Sequence, residues 1–170
     1  MANFNLYAPK THKLEGVVFE NDPTDTAGAT KYGITTQDVR DYYKDPSKDW
    51  TDVKALTADT AALILKKLYW DRLKADEIVN QSLAEYFVDS CFNMGFICVK
   101  YVQRIIGVPD DGIWGSGSLA ALNAADPEKV FEALRARREQ RYAAIIEANP
   151  SQKKFERGWK NRLNAFDFEA

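Results

Sequence analysis

Histidine is nearly absent from this chain: His12 is the only one in 170 residues. That leaves a zinc centre short of ligands, and no cofactor or metal is expected. Cysteine is almost as scarce. Cys91 and Cys98 are the only two; their spacing matches no metal-ligand pattern, and their apolar neighbours mark them as core thiols. Neither sign of charge dominates, since 23 Lys and Arg stand against 25 Asp and Glu for a net charge of -2. This argues against nucleic acid as the main partner. No run is long and apolar enough for a membrane-spanning helix. The opening residues, Met-Ala-Asn-Phe-Asn-Leu-Tyr-Ala-Pro-Lys, lack a basic stretch followed by an apolar one, so no secretory signal is expected and the chain reads as made in the cytoplasm. Low-complexity linkers and internal repeats are also missing.

What the chain does have is enough apolar surface for one good core: 45% of its residues are hydrophobic and 12% aromatic. The expected organisation is one compact, monomeric unit with an N-terminal lobe over residues 1–80 and a helical lobe over 81–170. The most informative stretch is 14–35. A short helix over 4–15 would end at Gly16 and deliver Glu15, with Pro9 acceptable only in a first turn. Asp22-Pro23 and Thr24-Asp25 favour a turn, and Tyr32-Gly33-Ile34-Thr35 reads as a strand against Val17-Val18-Phe19. Such a hairpin would bring Asp25 and Thr30 near Glu15.

Two carboxylates facing across a cleft are what cleavage of a glycosidic bond requires. One, protonated, gives its proton to the leaving oxygen; the other, ionised, attacks the sugar or activates water. Leu14, Val17 and Val18 flank Glu15 with apolar surface, whereas Thr24, Thr26 and Gly28 give Asp25 a polar setting. With 25 acidic residues in the chain, solvated surface is the competing explanation for any such pair.

The residues Glu15-Gly16, Asn21-Asp22-Pro23, Asp25, Gly28-Ala29-Thr30 and Gly33-Ile34-Thr35 together resemble the N-terminal signature of the glycoside hydrolase family 108 muramidases. The chain departs from that signature at Val17 and Ala27, where the family has glycine, and by one extra residue between Glu15 and Asn21. Gln103-Arg104-Ile105-Ile106-Gly107, Asp111-Gly112-Ile113-Trp114-Gly115 and Ser118-Leu119 resemble the predicted peptidoglycan-binding segment of the same proteins, and Phe155-Glu156-Arg157-Gly158-Trp159 with Arg162 resembles their closing segment. The resemblance implies a mainly α (α+β), lysozyme-like fold with a small β-hairpin beside the catalytic Glu. It also implies hydrolysis of the β-1,4 bond between N-acetylmuramic acid and N-acetylglucosamine, as in phage endolysins or secretion-type bacterial muramidases. Glu15 is then the catalytic acid, with Asp25 and Thr30 completing the site and Tyr32, Asn93 and Trp70 as substrate contacts. Peptidoglycan is the implied partner. A holin or other export pore would release the chain to act on the cell wall in the periplasm. Two rival readings are a lytic transglycosylase and a catalytically silent wall-binding or export-accessory protein.

Along the rest of the chain, Thr36 is the expected cap of a helix over 37–44, with Val39, Tyr42 and Tyr43 inward, and Thr57 that of a helix over 58–70. Trp70, which closes the second of these, reads as core before sugar platform. The most hydrophobic helix starts at Ser82 and stops at Gly95. Its polar stripe, Glu85, Asp89 and Asn93, faces either solvent or a cleft. Asp126-Pro127 starts a long helix reaching Ala148, on which Arg135, Arg137, Arg138 and Arg141 read as a solvated face. His12, nearly one turn before Glu15, reads first as a surface residue and second as a catalytic partner.

Overall fold

The computed structural model of the chain describes residues 1–21 and 28–169. Its main chain divides into two units, Asn3–Leu73 and Lys74–Ala170, the second also taking in Met1–Ala2. The division after Leu73 falls ahead of residues 74–80, which include a short 3-10 turn, Ala75–Glu77, and which were expected in the N-terminal lobe.

In the first unit, helix α1 (Phe4–Glu15) starts at Asn3, whose side chain accepts from the Asn5 amide, and ends at Gly16. Pro9 lies inside α1 and not in its first turn. Its ring is exposed, and the helix runs through it at the cost of one hydrogen bond. Next come β1 (Thr30–Lys31) and β2 (Ile34–Thr35), which pair antiparallel with Thr30 opposite Thr35 and Lys31 opposite Ile34. The hairpin partner of β2 is therefore β1 and not residues 17–19. Instead, Glu20 forms a single antiparallel bridge to Thr30, exchanging both main-chain hydrogen bonds at 2.9 and 2.8 Å. Tyr32 and Gly33 make the two-residue turn, both with positive φ (56° and 73°), as a tight hairpin requires.

Helix α2 (Thr36–Tyr43) is capped by Thr35, one residue before the expected cap, because Asp38 at its third position returns the bond to the Thr35 amide. Val39 is buried as expected, but Tyr43 points outward. After α3 (Trp50–Lys54), α4 (Ala58–Leu65) starts at the Thr57 cap and continues as a π turn, Lys66–Trp70. There the Asp71 amide reaches the Lys66 carbonyl, five residues back, at 2.8 Å. The Tyr69 hydroxyl donates to Asp38 at 2.7 Å.

The second unit is all-helical among its described residues: α5 (Gln81–Met94), α6 (Ile97–Ile105), α7 (Ser116–Ala124), α8 (Pro127–Ala148) and α9 (Glu156–Leu163). Asn80 caps α5 and Asp126 caps α8. Phe87, Phe131, Leu134 and Tyr86 build the core, where Tyr86 and Phe131 meet with ring centroids 4.4 Å apart. Cys91 and Cys98 are free, buried thiols. No helix among the described residues is long and apolar enough to cross a membrane.

Candidate active site

Glu15 is the last residue of α1, and Gly16 closes the helix by donating its amide to the His12 carbonyl at 3.1 Å. The Glu15 side chain then lies directly on the hairpin turn. A Cβ added to Gly33 would stand 2.6 Å from the Glu15 carboxyl carbon and 2.8 Å from its Oε2, so a side chain there would push the carboxyl aside. Position 33 favours glycine for its positive φ, and the absent Cβ leaves room for the Glu15 carboxyl to lie against the turn. Glu15 thus sits at a helix end with its carboxyl against the turn that carries Tyr32.

Around this pair the hairpin is held on both sides. Thr30 is the central rung, bonded to Glu20 on one edge and opposite Thr35 on the other. The Lys31 ammonium donates to the carbonyls of Lys54 and Leu56 at 2.9 and 2.7 Å, which ties β1 to the end of α3. Tyr32 takes the left-handed conformation, and its ring lies 5.8 Å from that of His12. His12 is half-buried, not a surface residue. Burial lowers its pKa, against a weaker pull upward from Asp59, and its Nε2 has no hydrogen-bond partner among the described residues.

Other expected site residues fare differently. Asp25 lies outside the described residues. Val17 and Val18 do not shield Glu15; they are 66% and 69% exposed. Trp70 is 0% exposed, stacked on Tyr7 at 5.6 Å and edge-on to Phe4 at 5.5 Å. An indole enclosed in this way has no face left for a sugar, so Trp70 is core and not a substrate contact.

In the second unit, Asn93 is exposed at the end of α5, and the Tyr142 hydroxyl donates to its Oδ1 at 2.5 Å. The direction follows from the next partner: Arg138 can only donate, and it gives a hydrogen to the same hydroxyl at 3.3 Å. The single Tyr142 proton therefore points at Asn93.

Sequence reasoning missed what stands behind that chain. Asp89 and Arg138 are both 0% exposed. Asp89 accepts from Arg138 at 3.1 Å and from Arg162 at 2.7 and 3.1 Å. Burial works against the Arg138 charge, but Asp89, Tyr142 and Tyr86 more than offset it, and its pKa is raised. Burial pushes the Tyr86 phenol up to about 12. The Arg-rich stretch of α8 is thus only partly a solvated face; Arg135 too turns inward, to the carbonyls of Leu163 and Phe166. The available signal was the polar stripe on an otherwise apolar α5.

The Gln103–Asp111 motif serves its own loop. The Gln103 amide donates to Asp111 at 2.9 Å and to the Ile113 carbonyl at 3.0 Å, and accepts from the Gly112 amide at 2.9 Å. Among the described residues, no group of three His, Cys, Asp or Glu is placed to hold a metal ion.

A family model described as glycosyl hydrolase 108 matches residues 8–95, just over half the chain, and one described as a predicted peptidoglycan domain matches residues 97–164. No curated protein matches. Among solved structures, the chain is similar to SagA of Brucella abortus, at 26% identity and a TM-score of 0.80, over 95% of this chain and 89% of that one.

Proposed function

Because the chain belongs to the glycosyl hydrolase 108 family and is a peptidoglycan hydrolase, we propose that it is an N-acetylmuramidase, cleaving the β-1,4 bond between N-acetylmuramic acid and N-acetylglucosamine. In this reading the Glu15 carboxyl gives its proton to the bridging oxygen as the bond breaks. Asp25 orients or deprotonates the incoming water, or steadies the positive charge on the sugar, and Thr30 helps to hold that water. Tyr32 and Asn93 position sugars. Synthesis in the cytoplasm, release through a holin or other pore and action in the periplasm complete the proposal.

The observation that carries it is the contact between Glu15 and Gly33. A general acid must meet one oxygen within hydrogen-bonding distance, and a carboxyl carried at a helix end and lying against a glycine turn supports that reading.

The test is clearing of permeabilised cells and of purified peptidoglycan by wild type and Glu15→Gln. Loss of the acid should slow clearing by about 10²–10⁴-fold with unchanged thermal stability. Undiminished clearing removes Glu15 from its role. Mass spectra of the products should show reducing ends; anhydro ends would identify a transglycosylase instead. A wild type that sediments with the wall without ever clearing it would be an accessory binder.

A further inference from the structure

The hydrolytic reading leaves unused a groove between the longest helix and the last one. On its α8 side stand Glu139, Tyr142, Ala143 and Ile146. The α9 side carries Glu156, Trp159, Lys160 and Leu163. Each set repeats at i, i+3, i+4 and i+7, so one face of each helix forms one wall. The cavity measures about 360 Å³, the size of a small ligand or a few residues of peptide, and too small for a docked helix.

Its chemistry favours a cation on an aliphatic stem. Ile146 and the buried Leu163 supply an apolar floor. Two carboxylates face one ammonium, and that ammonium is engaged: Lys160 donates to Glu156 at 2.8 Å, holding the Glu156 carboxyl below its usual range. Glu139 is exposed and makes no hydrogen bond or ion pair among the described residues. The aromatic wall is not laid open as a sugar platform, because Trp159 stacks on Tyr142 at 4.8 Å and 12°, with Phe155 at 6.1 Å.

We propose that this groove seats the peptide arm of peptidoglycan and not its sugars. Small aliphatic side chains would rest on the Ile146 and Leu163 floor, and the free side-chain amine of the diamino acid would meet Glu139. The identity of the ligand rests on the peptidoglycan reading of the chain; the charge and shape of the groove do not.

The experiment follows the Trp159 indole N–H resonance of the full wild-type chain by NMR. Four probes are titrated: a synthetic stem tetrapeptide with a free side-chain amine, the same peptide with that amine acetylated, sugar-only chitotetraose, and an amphipathic helical peptide. The free-amine peptide should shift the resonance. Acetylation, or Glu139→Gln with an unchanged melting temperature, should weaken binding about fivefold, the reach of a partly exposed ion pair. Added salt should weaken it as well, while Glu128→Gln, elsewhere on α8, should leave it unaltered.

The inference is overturned if chitotetraose shifts Trp159 as strongly, if Glu139→Gln leaves binding unchanged, or if an amphipathic helical peptide binds there more tightly. Wall clearing, measured in parallel, separates the two proposals. Clearing without peptide binding sinks the groove alone, and peptide binding without clearing sinks the muramidase alone.

Discussion

In the Asn3–Leu73 unit most polar side chains find partners close by in sequence. Thr35 and Asp38 cap each other, Asp49 and Asp52 do the same at α3, and Asn3 and Thr57 each cap the helix that follows. In the Lys74–Ala170 unit the decisive partners are distant: Asp89 is held by arginines 49 and 73 residues away, in the core. Local caps form with their own helix and cost little when lost. A buried ion cluster requires three helices to be in place at once, and losing one member strands the others. Short-range polar bonds hold the helix starts of the first unit, whereas the second uses buried charges to hold its helices together.

The sharpest break in that contrast is Asp89→Asn. It leaves two buried guanidiniums without a full counter-charge and should cost about 3–5 kcal/mol in urea unfolding. Replacing Asp89, Arg138 and Arg162 together with apolar residues of similar volume should recover most of that loss; if the triple variant is no better than the single one, the cluster has a role beyond charge balance. Next is Gly33→Ala. It should lower wall-clearing activity by about 10²-fold, the effect of displacing a reacting group by about 1 Å, with a stability cost of only about 1–2 kcal/mol. An active Gly33→Ala enzyme would mean that the position of Glu15 is not set by the turn.

Asp38→Ala removes the return bond of the α2 cap and the acceptor of Tyr69. It should cost about 1–2 kcal/mol in the same unfolding assay. The smallest effect concerns His12. Its folded-state pKa lies below the usual 6.5, chiefly through burial, so as pH falls the unfolded chain takes up the proton first. The stabilising contribution is complete above about pH 6.5 and declines below it. As the only imidazole, His12 should give one NMR titration with a midpoint under 6.5, and His12→Asn should flatten the slope of stability between pH 5 and 7.

How much of this was legible in the sequence depended on how locally each feature is encoded. The ends of α1 and α8 and the Thr57 cap were readable, since Gly16, Asp126-Pro127 and Thr57 act on their immediate neighbours. The hairpin was legible in kind but not in pairing. Tyr32 and Gly33 read as strand but form the turn, and the choice of Thr30–Lys31 over residues 17–19 as partner of β2 depends on which chain segment lies alongside. Glu15 was placed at a helix end by Gly16 and named as the acid through the family resemblance, but its contact with Gly33 belongs to the folded chain. Asp89 and Arg138 were assigned to a stripe and a solvated face because periodicity gives a residue's bearing on its helix and not what lies opposite. Trp70 could be weighed both ways until Tyr7 was seen against it.

The π turn at Lys66–Trp70 carries a lesson of its own. By spreading one loop of helix over an additional residue, it lets two ring-bearing neighbours serve separate anchors: the phenol of Tyr69 ties down the start of α2, and the indole of Trp70 plugs against α1. Deleting a residue there would restore ordinary winding and force the fold to give up one of those moorings. The local irregularity is thus a spacer that permits two adjacent side chains to do different jobs.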